Sequence, residues 1–454
     1  MRLWDKGGDV DAAMMRFTAR DDWSLDQALL PFDLRASRAH VRGLARIGVL
    51  ARADAEHLDL ALATLENEVR AGTFAPTAED EDGHSAIENA LVARVGDVGK
   101  RVHLGRSRND QVLVALRLYE RDALATIAEL ELSGARALLE LAERTMLVPM
   151  PGYTHLQRAV PSSLGLWAGA FADGLVDAAP AALDAWRAAD RSPLGAAAGY
   201  GVNLPLDREG VAKDLGFAEV AFNPIASQTS RGIVEVQVLA ATWVGMATVR
   251  RLAWDLSIFT TSEVGFVKLD PALTTGSSIM PNKRNPDVVE LLRGACAVVQ
   301  GAMVEVMSVA SLPSGYHRDL QLTKAPLMRA LDEARVALSL VPRLVAVRAS
   351  GPRGIGQSDA ARAATCSPAP LSTGSPWPKR AVSKSSSASF CTDASAAAGS
   401  AVNSLMEPVM PSGPLLFSAS PATRRPVSVS TSAPSSVGPD PTQRYRRTSS
   451  SISR

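Results

Sequence analysis

Residues 110–146 read DQVLVALRLYERDALATIAELELSGARALLELAERTM. The run holds no proline, and its apolar positions Val112, Leu116, Ile127, Leu130, Leu138 and Leu141 recur mainly at three- and four-residue steps. That period predicts one long helix, with Asp110 placed ahead of it as an N-cap. Outward from it, 230–263 forms a second run, apolar on more than one face, as a helix buried in a bundle would be. Residues 286–310 and 318–345 predict two more, and the part before residue 346 reads as helix almost throughout. Helices of this length pack as an elongated all-α bundle, and they can also pair between copies of the chain, so an oligomer is expected. Neither an internal repeat nor a strand–helix alternation is seen.

Composition narrows the function classes. The 454 residues carry a formal charge of +1, which argues against a dedicated nucleic-acid binder. Three cysteines, Cys296, Cys366 and Cys391, have no paired spacing, so neither a disulfide framework nor a zinc site is indicated. The N-terminus lacks an apolar signal core, and no stretch of eighteen uninterrupted apolar residues appears. A cytoplasmic setting without membrane attachment is the default expectation.

Four polar segments break or cap the long helices. Lys100–Gln111, KRVHLGRSRNDQ, sets Arg106, Arg108 and Asn109 at a helix start, where backbone N–H groups attract anions. Gly152–Pro161, GYTHLQRAVP, carries Thr154 and His155, a side chain able to shuttle protons; taken alone, it reads as a loop histidine bonded to backbone. Thr274–Glu290, TTGSSIMPNKRNPDVVE, combines a Gly/Ser loop with Lys283, Arg284 and Asn285, and Pro286 suits the first turn of the helix that follows. A lid with a lysine can clamp a carboxylate whose charge grows during reaction. Ser314–Lys324, SGYHRDLQLTK, offers Tyr316, Arg318, Gln321 and Lys324; an α-helix would put 317, 320, 321 and 324 on one face.

The loop Gly276–Pro286, GSSIMPNKRNP, is similar to the signature GSSxMPxKxNP of the fumarase/aspartase superfamily. SRNDQ at 107–111 and YHRDLQLTK at 316–324 resemble its argininosuccinate lyase branch, as do FDLRASRAHVRGLARIGVL at 32–50 and EDGHSAIENAL at 81–91. The resemblance spans about residues 1–345. It implies elimination of fumarate from argininosuccinate, with arginine as the other product. It further implies Ser277 as the base on a lid of residues 274–287, with Lys283 and Asn285 holding the developing charge. His155 would lie near the leaving group, with Glu290 orienting it. Arg108, Asn109 and Thr154 would hold the succinyl carboxylates, and Tyr316, Gln321, Lys324 and His84 the rest of the substrate. The family also implies a homotetramer with shared sites and neither a metal nor an organic cofactor, because the substrate carboxylate is the electron sink. Adenylosuccinate lyase and fumarase are the rival activities, against which SRNDQ and YHRDLQ argue; an inactive structural or truncated homologue is a further alternative.

The resemblance divides the chain into an N-terminal helical domain (1–105), a central bundle (106–345) and a remainder (346–454). That remainder turns to Ser, Ala, Pro and Arg and loses all apolar period. It holds twelve Lys or Arg against four Asp or Glu, so it carries +8 and the rest of the chain −7. Such a segment buries too little apolar surface to offset its ordering entropy, so disorder is expected. Family members continue with a helical C-terminal domain instead, and a reading-frame shift in a GC-rich gene would produce this change.

Overall fold

The helix read from residues 110–146 runs from Arg108 to Thr145 in the computed structural model, as α5. The structure describes residues 11–20, 22–77, 79–80 and 82–349. The Ser-rich stretch beyond them, with its expected disorder, lies outside the described residues. The cap of α5 differs from the expectation. Ser107 is the N-cap, its Oγ accepting from the Asn109 N–H, while Asp110 accepts from the Ser107 N–H at 2.9 Å. Asp110 therefore closes a capping box from inside the first turn. Its other oxygen accepts from the backbone N–H groups of Gly195 and Ala197, which fixes a distant loop to the start of α5.

Ahead of α5 lie α1 (Ala12–Ala19), α2 (Asp22–Arg46), α3 (Arg52–Ala71) and α4 (Gly83–Val95), then a 3₁₀ turn at Gly96–His103. Leu30, Leu34, Leu44, Leu58, Leu62 and Leu91 bury between α2, α3 and α4 as a separate apolar cluster. After α5 come α6 (Leu164–Val176), α7 (Ala179–Ala189), α8 (Arg208–Asp214) and α9 (Pro224–Thr229). Three long helices follow: α10 (Ile233–Phe259), α11 (Asp287–Val309) and α12 (Lys324–Leu344). Pro286 is the N-cap of α11, one residue before the helix it was expected to open. The main core joins α5, α6, α7, α10, α11 and α12 through residues such as Leu124, Leu138, Leu239, Leu256, Val299 and Leu338. This is the all-α bundle of long helices that the apolar period predicts.

One segment departs from helix. Strand β1 (Pro149–Thr154) pairs antiparallel with β2 (Gln157–Ser163), with an irregular register between Gly152 and Tyr153. His155 and Leu156 form the tip, both in the left-handed region at φ 54° and 58°. Two positive φ values in a two-residue loop match the twist of a hairpin, although non-glycine residues there cost about 1–3 kcal/mol each.

Candidate active site

A polar cleft opens where the start of α5 meets α2, α4 and the start of α12. Six residues singled out from the sequence line it: His84, Arg108, Asn109, Tyr316, Gln321 and Lys324. Asp22, Asp26, Asp82, Arg231 and Arg318 line it as well. The sequence offers Arg318 in the polar run 314–324 without a role of its own; sequence reasoning passed over the other four as functional groups, because single charges in or beside amphipathic helices read as solvated faces or caps.

Lys324, Arg108 and His84 are each held by a carboxylate. Lys324 is buried, and its ammonium donates to Asp26 Oδ1 at 2.8 Å and to Asp22 Oδ1 at 2.7 Å. Burial disfavours this charge, but the two carboxylates outweigh it and raise the Lys324 pKa. Asp22 is pushed up, first by burial and then by the neighbouring Asp26 and Asp82, against the pull of Lys324. Arg108 donates to Asp82 Oδ2 at 3.0 Å and to Ser85 Oγ at 2.9 Å. His84 Nδ1 lies 2.5 Å from Asp33 Oδ2. Burial opposes charge on both, yet their mutual attraction raises the His84 pKa and lowers that of Asp33. Gln111 Nε2 donates to Asp33 as well, which fixes the carboxylate that fixes the histidine.

The segment before α12 corrects the expected helical face. Residues Arg318–Thr323 wind as a 3₁₀ turn, with three residues per turn. Arg318, Gln321 and Lys324 therefore share the cleft side, while Leu320 and Thr323 turn into the protein. Gln321 Nε2 donates to the Thr18 carbonyl at 3.0 Å and to Asp22.

The other six sequence candidates lie elsewhere. Thr154 and His155 are exposed at the tip of the β1–β2 hairpin, beyond the far end of α5. Ser277 and Lys283 sit on a loop closed by the pairing of Thr275–Gly276 with Arg284–Asn285. Asn285 is half-buried at that pairing. The Ser277 Oγ accepts from the backbone N–H groups of Ile279 and Met280. Glu290 is exposed in the first turn of α11 and pairs with Arg293 at 3.6 Å, not with His155. The hairpin and the loop share one end of the bundle. Tyr153 on β1 packs on Phe266, Phe266 on Phe259 at the end of α10, and Phe259 on Trp167 of α6, at centroid distances of 6.2, 5.3 and 5.7 Å.

Helix length sets the separation. At 1.5 Å per residue the 38 residues of α5 span roughly 57 Å, and the 23 of α11 roughly 35 Å. The cleft is at the N-terminal end of α5; the hairpin follows its C-terminus. One chain therefore carries two half-sets of polar groups at opposite ends, and they do not meet within it.

A lyase family model matches residues 5–301. The argininosuccinate lyase of Sorangium cellulosum is 66% identical over 345 residues, covering 76% of this chain and 80% of that protein. The argininosuccinate lyase of Stenotrophomonas maltophilia (strain R551-3) is 48% identical over the same shares. Among solved structures, EDDS lyase in complex with formate matches with a TM-score of 0.62 and 26% identity, over 75% of this chain and 68% of that one. A fumarate lyase:delta crystallin from Brucella melitensis matches with a TM-score of 0.64 over 77% and 86%, at 20% identity, which bears on the fold alone. With the matched relatives covered over four-fifths of their length and the long-helix bundle in place, the chain belongs to the argininosuccinate lyase family.

Proposed function

We propose that this protein is a carbon–nitrogen lyase that splits argininosuccinate into arginine and fumarate. The observation that carries the reading is the cleft itself, where Arg108, Asn109, Tyr316, Gln321, Lys324 and His84, drawn from segments far apart in sequence, converge on one polar space. In the reaction a base removes the proton on the carbon beside one succinyl carboxylate. The electron pair passes into that carboxylate and then expels the guanidino nitrogen, which takes up a proton. Only groups that bind the doubly charged intermediate better than the substrate accelerate this step.

Ser277 is assigned as the base, with Lys283 and Asn285 stabilising the charge that develops. A serine is a poor base at its ordinary pKa, so it needs neighbouring cations and exclusion of water. His155 serves the leaving-group side and Glu290 orients it. Arg108, Asn109 and Thr154 hold the succinyl carboxylates; Tyr316, Gln321, Lys324 and His84 hold the remainder of the substrate. No cofactor enters this scheme.

Because the two half-sets lie at opposite ends of one bundle, a complete site needs more than one copy, and a homotetramer supplies it. The faces of α10 and α11 support assembly. Ile233, Trp243, Val244 and Trp254 on α10, and Leu291, Val304 and Met307 on α11, are exposed apolar side chains on helices whose other faces are core. By length and composition both helices would also suit a membrane, and half of the most apolar window of α10 and a third of that of α11 are buried inside the chain. We place the protein in the cytoplasm, with which the absence of a disulfide at Cys296 among the described residues agrees. The test is fumarate absorbance after argininosuccinate is added to the full-length protein, beside Ser277→Ala. Turnover lost in the variant supports the assignment. Turnover of adenylosuccinate instead would move the protein to a sister activity.

A further inference from the structure

Among the described residues, Arg231 is the buried cation of the cleft to which no carboxylate is hydrogen-bonded. It is only 3% exposed, yet among the described residues Nε and Nη1 have no hydrogen-bond partner, and Nη2 reaches only the Leu320 carbonyl at 3.3 Å. Its guanidinium lies 5.6 Å from the centre of the Tyr316 ring, which fixes it at the cleft wall. The other cleft cations are committed. Lys324 is clamped by Asp22 and Asp26, Arg108 by Asp82, and His84 by Asp33. Arg318 is exposed and donates to the Thr18 carbonyl. Glu235, one turn along α10, does not take the free nitrogens. One of its oxygens accepts from the Gly232 N–H at 2.6 Å, and the other faces Arg117 at 3.7 Å. Leaving buried guanidinium nitrogens unpaired is costly, which points to a partner supplied from outside the chain.

The charges around it indicate which partner. Asp22 and Asp26 share one lysine, so that group keeps a surplus negative charge, and Asp22 acts on Arg231 electrostatically, though less than Glu235 does. A surplus carboxylate beside an unpaired guanidinium is complementary to an amino-acid head, with its ammonium and carboxylate on one carbon. A succinyl dianion would meet the Asp22–Asp26 pair unfavourably. We propose that Arg231 binds the α-carboxylate of the arginyl end of the substrate, with Asp22 and Asp26 facing its α-ammonium. This rests on the reading of the protein as an argininosuccinate lyase and adds a specificity determinant to it.

L-arginine and agmatine, which lacks the carboxylate, separate the two halves of that head group. Calorimetric titration of each into full-length protein should show L-arginine binding about tenfold to a hundredfold more tightly, the range of charge-assisted pairing. In Arg231→Met the preference should fall to about twofold with agmatine affinity kept, and Arg231→Lys should restore part of it. Retained agmatine binding shows that the variant's cleft is intact. A wild-type protein with no preference for L-arginine overturns the proposal, even if Arg231→Met fails to fold. So does a folded variant that keeps the preference, or one that loses fumarate binding instead. Fumarate release from argininosuccinate by the wild-type protein is scored separately. Its absence would count against the lyase reading, whereas the arginine–agmatine comparison needs no turnover.

Discussion

His84 and Asp33 show how the cleft is tuned at the level of single residues. The imidazole gains a carboxylate partner on folding, so its folded pKa lies above the unfolded value of 6.5. The stabilisation is then fully present below pH 6.5 and is lost as pH rises through the raised folded value. Asp33 behaves in the opposite sense: its pKa is lowered, so its contribution holds above its unfolded value of 3.8 and fades as pH falls below that. The stability difference between wild type and His84→Gln, measured by urea unfolding, should therefore be larger at about pH 6 than at about pH 9. Equal differences at both would mean that the pair is not ionic. Lys324 makes a sharper case. Removing it as Lys324→Met leaves Asp22 and Asp26 facing each other without a cation, and should cost on the order of 3–5 kcal/mol. Thermal unfolding of Lys324→Met beside Lys324→Arg, which keeps the charge, checks this. At this scale the sequence was a good guide to Lys324 and Gln321, since both stand in a polar run that interrupts apolar period. It was a poor guide to Asp22, Asp26 and Arg231, whose importance comes from what faces them across the cleft.

At the level of elements, the long helices were legible because burial imposes a period that propensity alone does not. The expected 110–146, 230–263 and 286–310 correspond to Arg108–Thr145, Ile233–Phe259 and Asp287–Val309. The β1–β2 hairpin was not legible. Most of β2 is exposed on both faces, so no alternation marks it, and its tip uses His155 and Leu156 where Asn-Gly would have announced a turn. The 3₁₀ turn at Arg318–Thr323 was read as α-helix because a three-residue repeat satisfies either period over so short a span. Inside the bundle, Glu131 on α5 is fully buried, neither carboxylate oxygen is bonded among the described residues, and burial pushes its pKa up to about 8. An acid with a raised folded pKa weakens the fold as pH climbs from its unfolded 4.5 toward 8. Glu131→Gln should thus raise Tm at about pH 8.5 by more than at about pH 5. Gly245 of α10 makes room for this side chain, since a Cβ there would lie 2.0 Å from Glu131 Oε1. Gly165 on α6 is stricter still: its Cβ would meet the Ala142 carbonyl oxygen and the Met146 Cα, both at 2.6 Å, on the backbone of α5 and its C-cap. Gly165→Ala should cost about 1–3 kcal/mol through overpacking, read by denaturant midpoint. A neutral result would show that α6 can slide along α5.

For the molecule as a whole, the separation of the two half-sets dictates how activity depends on assembly. Asn109 lies at the cleft end, and Ser277 at the opposite end with the hairpin. If a working site draws its cleft from one copy and its lid from another, a variant damaged at one end still carries a sound set at the other. Asn109→Leu and Ser277→Ala, each inactive alone, should then regain activity when co-expressed so that they assemble together. With equal and random incorporation, about a quarter of sites combine an intact cleft from one variant with an intact lid from the other, so about a quarter of wild-type turnover is expected. Mixing the two purified proteins without subunit exchange should give none, which separates shared sites from a trace of revertant. If instead each chain folded its own lid over its own cleft, no mixture would recover activity at any ratio. The rough lengths of α5 and α11 argue against that, because a lid would have to cross tens of ångströms of rigid helix to reach the cleft of its own chain. On the proposed reading of shared sites, oligomer formation is a condition of catalysis. A charged substitution such as Leu291→Asp, on the exposed apolar face of α11, should abolish turnover together with self-association in sedimentation, while leaving the cleft of each chain able to bind L-arginine.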